Sequence, residues 1–338
     1  MADNKPGDAQ RELFANSTLA SPTATTNSVA TSPMRVSPLT VNEERVLAKA
    51  EFFVDVQLWP FRRTLDPQGW LKNFLPNEQE YAVNLLNAFV YYSAPLCDAL
   101  LLGAFRRLSA NVVSCDDPFV AAQSLWQGFC DSVLIVHVEG ETPSTTDSGY
   151  LFARRARQVL EIAEDRILSP QAALERLIKS GPLPVVFVDD FVGSGNQFAM
   201  SWHRRIRLRD GREHSFDQLA AAQGGRFFYC PLVCTAAGVE TIQLECPKVI
   251  LVPAHVLTEH YNALSPVSHL WPDHLRPTAA AFVETASRRA GIPESGTSGW
   301  RGFHDLGLAV AFEHSVPDAT LPIFYWEHNG WTPLIKRR

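Results

Sequence analysis

The stretch Pro184-Val185-Val186-Phe187-Val188-Asp189-Asp190-Phe191-Val192-Gly193-Ser194-Gly195-Asn196-Gln197 constrains this chain more than any other. A short apolar run rich in β-branched residues suits a strand covered on both faces, and such strands belong to parallel sheets packed between helices. Two adjacent carboxylates close the run, which places them at the carboxyl end of the strand, where open α/β sheets bind ligands. Small residues come next. Gly193, Ser194 and Gly195 can curl the backbone so that successive N–H groups face one point, ahead of a helix whose N-terminal dipole favours an anion.

The flanking sequence repeats the alternation that a parallel sheet needs. Ser132 to Val138 reads as an earlier buried strand, Tyr150–Ile162 and Gln171–Ile178 as helices, and Gln197–Arg209 as the helix after the acidic strand. Further strands are expected at Arg226–Cys234, Lys248–Val252, Leu306–Phe312 and Leu321–Trp326, with a helix over Gly238–Leu244. Ahead of all this, Leu39 to about Ser114 reads as helical. Asn42-Glu43-Glu44 opens one helix, Asn77 with Glu80 three residues on forms a capping-box signature, and Pro95 fits the first turn of another. Trp59, Phe61, Trp70 and Phe74 are expected to be core. The expectation is an α/β fold in which 1–38 is a flexible tail, 39–115 a helical N-terminal layer, and 116–338 a parallel-sheet domain with a C-terminal extension.

Several classes are excluded on chemistry. Thirty Lys and Arg against 36 Asp and Glu leave a net charge of −6, which provides no global field for nonspecific nucleic-acid binding. No apolar run approaches the length of a membrane span, so a cytoplasmic protein with no membrane partner is expected. Six cysteines lack the density of a disulfide scaffold, and Cys230 and Cys234 read as buried strand residues rather than zinc ligands. There is no G-x-x-x-x-G-K-[ST] run for a P-loop and no G-x-S-x-G elbow. The histidines from His255 to His328 read as surface or hydrogen-bonded core residues. Glu313-His314, following an apolar strand, and His304-Asp305 are the pairs placed to approach a ligand.

Paired carboxylates just before a phosphate cradle can hydrogen-bond two vicinal hydroxyls of a ribose whose 5-phosphate lies in the cradle. Here the chain resembles the type I phosphoribosyltransferases, whose signature is an apolar strand, two acids and a short Gly/Ser/Thr loop that binds phosphoribosyl pyrophosphate. The resemblance implies a phosphoribosyltransferase-like core. It gives Asp189 and Asp190 the catalytic ribose contacts and an indirect share in holding Mg2+, and Phe191, Val192, Gly193, Ser194, Gly195, Asn196 and Gln197 the phosphate. It also implies a pyrophosphate loop near Glu139, Gly140 and Ser144, with Mg2+ offsetting the charge of the leaving group. The chain departs from the family pattern at Gly193 and Gln197, where hydroxyl residues are common. Val233 to Ile242 resembles the post-loop strand and helix of uracil-type members. The C-terminal stretch from Gly307 is similar to a bacterial phosphoribosyltransferase-like group found in conflict and defence loci, some of them retron loci. That likeness implies an effector with protein or nucleoprotein partners from its operon, and the family implies a homodimer. A non-catalytic sensor of a phosphorylated ribose or nucleotide is the alternative expectation.

Overall fold

A computed structural model describes residues 41–60, 64–140 and 148–337. The tail expected over 1–38, Phe61 and Ser144 lie outside them. The chain forms α1 (Glu43–Asp55), α2 (Pro67–Leu71), α3 (Gln79–Ala88), β1 (Val90–Tyr92), α4 (Ala94–Arg107), α5 (Ser109–Val112) and α6 (Phe119–Ser132). There follow β2 (Leu134–His137), α7 (Ser148–Val159), β3 (Ile167–Leu168), α8 (Pro170–Ser180), β4 (Val185–Val192), α9 (Asn196–His203), β5 (Ile206–Arg207), β6 (Glu213–His214) and α10 (Phe216–Gln223). Then come β7 (Phe227–Thr235), α11 (Ala236–Glu245), β8 (Val249–Leu251), β9 (His255–Leu257), α12 (Arg276–Ala290) and β10 (Val310–Phe312). No helix among the described residues is long and apolar enough to cross a membrane.

The expected parallel α/β sheet is present. Among the described residues it has six strands in the order β3-β2-β4-β7-β8, with β9 also on β7, and every pairing is parallel. After β2 the chain adds β3 on one side, then crosses to add β4 on the other. That reversal opens a crevice at the carboxyl ends of β2 and β4, the position where such sheets hold ligands. β2 stops at His137, opposite Val188, whereas β4 runs on to Val192 with β7 alone beside it. The two aspartates therefore sit on the part of β4 whose β2 side is open.

Pleating sorts the β4 side chains onto two cores. Val186 and Val188 join a core built with α4, α6 and α7, while Val185 and Phe187 join one built with α8, α9, α10 and α11. A third core unites the N-terminal helices with the C-terminal end of the chain. Trp70 is fully buried there, stacked on Phe324 at 5.3 Å between centroids, and its indole N–H donates to the Ile323 carbonyl at 2.8 Å. Trp59 and Phe74 are buried as expected.

Three expectations give way in this region. Val90–Tyr92 is a strand, not helix, and pairs in parallel with β10 outside the main sheet, so Leu306–Phe312 contributes only Val310–Phe312 as strand. Leu321–Trp326 is not a strand. Pro322 opens a 3-10 turn over Pro322–Phe324, and the apolar run is explained by burial from several sides instead of a pleat. Asn77 does not cap α3: Glu78 holds that position, its carboxylate taking the Leu75 N–H and a two-pronged bond from Arg289 of α12 at 2.7 and 2.6 Å.

Because one core serves both ends of the chain, Trp70→Ala is expected to cost about 3–5 kcal/mol, as for other buried aromatic truncations. Thermal unfolding should stay a single transition at lower temperature; a second, unshifted transition would show that the N-terminal layer melts by itself.

Candidate functional site

The acid pair lies at the exposed end of a buried strand, yet both residues are themselves buried, Asp189 at 3% and Asp190 at 6% exposure. Neighbours on a strand face opposite ways. Asp189 turns toward the α9 side, where the Tyr229 hydroxyl donates to its Oδ2 at 3.1 Å and the Asp190 N–H to its Oδ1 at 3.0 Å. Asp190 turns to the α7 side: its Oδ2 accepts from His314 Nε2 at 2.6 Å and Ser315 Oγ at 3.4 Å, and its Oδ1 from the Phe191 N–H at 2.9 Å. Burial, then the Asp190 charge beside it, hold the Asp189 carboxyl well above the ordinary carboxylate range. Burial likewise keeps Tyr229 a neutral donor.

The turn that follows is shaped by what packs behind it. Gly195 has φ +84°, and a Cβ there would lie 2.9 Å from the Gly238 carbonyl oxygen. A Cβ on Gly238 would in turn lie 2.6 Å from the Gly193 carbonyl oxygen, so two glycines let the turn and the start of α11 touch. Thr235 fastens the contact. Its hydroxyl donates to the Gly193 carbonyl at 2.6 Å and accepts the Gly238 N–H at 3.0 Å, capping α11 and pinning the turn with one side chain. α9 begins directly after Gly195, so its first N–H groups have no intrahelical acceptor, and that of Asn196 turns to the Ser194 hydroxyl at 3.4 Å.

Acids and turn open into one cavity of about 380 Å³, lined by every residue from Asp189 to Phe198 and by Tyr229. The opposite wall is C-terminal: Phe303, His304, Leu306, Ser315 to Ala319 and Arg337. His304 and Asp305 both have positive φ, at 57° and 56°, so this wall is built on a strained loop. Arg337 pairs with Asp318 in the same wall.

Of the residues expected to hold a pyrophosphate, two are described. Glu139 and Gly140 follow β2 and are not among the cavity's lining residues. Arg204 bonds both, reaching the Glu139 carboxylate at 3.3 Å and the Gly140 carbonyl at 2.8 Å. Arg155 pairs with Asp98 and the Ala94 carbonyl, while Arg157 meets Glu164 near the surface. Cys230 and Cys234 are buried on β7, as expected. Among the described residues no group of three or more His, Cys, Asp or Glu is placed to hold a metal ion.

Thr235 and Tyr229 are the contributions that sequence patterning left without a role; His314, expected near a ligand, meets the Asp190 carboxylate. Thr235 carried a faint signal, a hydroxyl residue three before a glycine at a strand-to-helix turn. Tyr229 carried none, since a tyrosine in an apolar strand reads as packing.

Comparison with known proteins followed the same segments. A model of the PRTase-CE family matches residues 67–337. The orotate phosphoribosyltransferase from Aeropyrum pernix, a solved structure, aligns at 14% identity over 45% of this chain and 70% of its own, with a TM-score of 0.22. None of the curated proteins is similar to the chain. The match spans the acidic strand, the glycine turn and the C-terminal wall together, and the chain belongs to the phosphoribosyltransferase-like PRTase-CE family.

Proposed function

We propose that the cavity binds a ribose 5-phosphate group, as phosphoribosyl pyrophosphate or a related nucleotide, and that the protein is a phosphoribosyltransferase-like enzyme. The observation that carries this reading is the convergence of the acid pair and the Gly193–Gln197 turn on one cavity. The turn offers backbone N–H groups, the Ser194 hydroxyl and the start of α9 to a phosphate. Asp190 supplies an anionic acceptor for a sugar hydroxyl, and the apolar wall of Phe303, Leu306 and Pro317 offers a surface for a ring.

Transfer from such a donor builds positive charge on the anomeric carbon, which a nearby carboxylate stabilises. The carboxylates are hard oxygen donors and fit Mg2+ brought in by pyrophosphate oxygens, which is how this ion is commonly held. Mg2+ would there offset the charge of the leaving group; Asp189 and Asp190 are the residues that would share it. The non-catalytic sensor remains a second reading, favoured by one observation: each carboxylate oxygen already accepts a bond within the protein. A defence-locus effector role with operon partners, implied by the C-terminal likeness, is proposed with it and is read by phage plating of the intact locus against its Asp190→Asn form.

Three measurements bear on the site. Calorimetry with phosphoribosyl pyrophosphate and Mg2+ should show binding that Asp190→Asn weakens at least tenfold, with pyrophosphate release separating enzyme from sensor; unchanged affinity in the variant would sink the ribose grip. Gly195→Ala forces a left-handed residue against the Gly238 carbonyl, so phosphate affinity should fall along with about 1–2 kcal/mol of stability. The third concerns Asp189. Its folded-state value is raised, so its contribution to stability is complete below the unfolded value of about 3.9 and is lost as pH rises toward the folded value. Asp189→Asn removes that loss. The variant should gain on the wild type in thermal stability between pH 4 and pH 7, and a gap independent of pH would contradict the assignment.

A further inference from the structure

His314 stands outside the cavity lining yet makes the shortest contact to the acid pair, 2.6 Å from Nε2 to Asp190 Oδ2. Its place is fixed from four directions. β10 pairs with β1, and the Glu313 N–H donates to the Tyr92 carbonyl at 3.0 Å, which sets the backbone one residue earlier. The Glu313 carboxylate accepts the Ala94 N–H at 2.6 Å, anchoring the same segment to the start of α4. The imidazole then lies against Phe152 of α7 and Phe312 of β10, at 5.3 and 5.5 Å between ring centroids. The ring so held turns Nε2 to the Asp190 carboxylate.

We propose that His314 is a positioning residue for the ribose grip: it holds Asp190 by Oδ2 from behind, fixing the carboxylate plane so that its cavity side meets a sugar hydroxyl. This rests on the ribose reading above and assigns within it a residue that touches no ligand. The physical need is specific. A carboxylate at 6% exposure has lost most of its hydration, and the Phe191 N–H and Ser315 hydroxyl that also reach it are neutral donors. A histidine N–H makes a stronger bond to an ionised acceptor than a neutral hydroxyl at 3.4 Å, and a bond from outside the cavity leaves the ligand side open. Preorganisation of this kind lowers the cost of binding because the carboxylate does not have to be turned at the moment of recognition. Asp189 needs no such support. It takes the Tyr229 hydroxyl as its own donor, a partner that the C-terminal segment does not supply.

The test compares two probes read at the same amides. Inorganic phosphate reports the Gly193–Gly195 turn alone; ribose 5-phosphate reports turn and grip together, both followed by NMR shifts of the Gly193, Ser194 and Gly195 amides. His314→Phe keeps a ring between Phe152 and Phe312 and removes the donor, and His314→Gln restores a donor without the ring. His314→Phe should lower ribose 5-phosphate affinity about tenfold, the size of one charge-assisted bond, and leave phosphate affinity unchanged. His314→Gln should recover most of the loss. In an Asp190→Asn background His314→Phe should have no further effect, because its action passes through that carboxylate. The proposal is overturned by wild-type affinity for ribose 5-phosphate in His314→Phe, by equal losses for both probes, or by an undiminished loss in the Asp190→Asn background. A wild-type protein that binds phosphate but not ribose 5-phosphate, or neither, overturns the ribose reading itself.

Discussion

Two buried carboxylates at the carboxyl end of a central parallel strand set the terms for everything around them. Desolvating an acid is expensive, and adjacent residues on a strand point to opposite faces, so one partner cannot serve both. The fold answers with two sets of donors. Tyr229, on the neighbouring strand, reaches Asp189 from the α9 side, and His314 with Ser315, from the far end of the chain, reach Asp190 from the α7 side. Much of the long-range architecture follows from this second requirement. The C-terminal segment has to return beside β4, and the β1–β10 pairing brings it there.

The same return path explains why both ends of the chain share a core. Trp70 and Trp331 both donate their indole N–H to the Ile323 carbonyl, from residues far apart in sequence. The packing that stabilises the N-terminal helices therefore also holds the segment that forms the cavity wall and carries His314. A cavity whose floor is β4 and whose roof is the C-terminus can be shaped by changes distant from the acid pair, since the roof is positioned by the aromatic core under α2 and α3.

Much of the site was legible because its signals are local. The apolar run, the acids and the glycines are contiguous, and each demands a particular backbone: buried parallel strand, carboxyl edge, tight turn before a helix. The errors share a cause. Val90–Tyr92 and Leu321–Trp326 are short apolar segments whose form depends on what surrounds them, and periodicity over so few residues does not separate strand, helix and turn. At the α3 entry the helix starts one residue later than the Asn77 pattern indicates, and the Glu78 carboxylate there is committed to the Leu75 N–H and to Arg289, far along the chain, and caps nothing.

Sequence by itself determined the sheet type, the position of the acids at its carboxyl edge and the conformation of the turn, because hydrophobic runs, adjacent charges and glycines restrict the backbone wherever they occur. Tertiary structure alone decided that Thr235 pins the turn, that Glu139 is tied to Arg204, and that the roof comes from the C-terminus with His314 behind Asp190. Each of these is a meeting of side chains separated by tens to hundreds of residues. No local pattern encodes such a meeting; it exists only once the strands have been ordered and the faces of the sheet assigned.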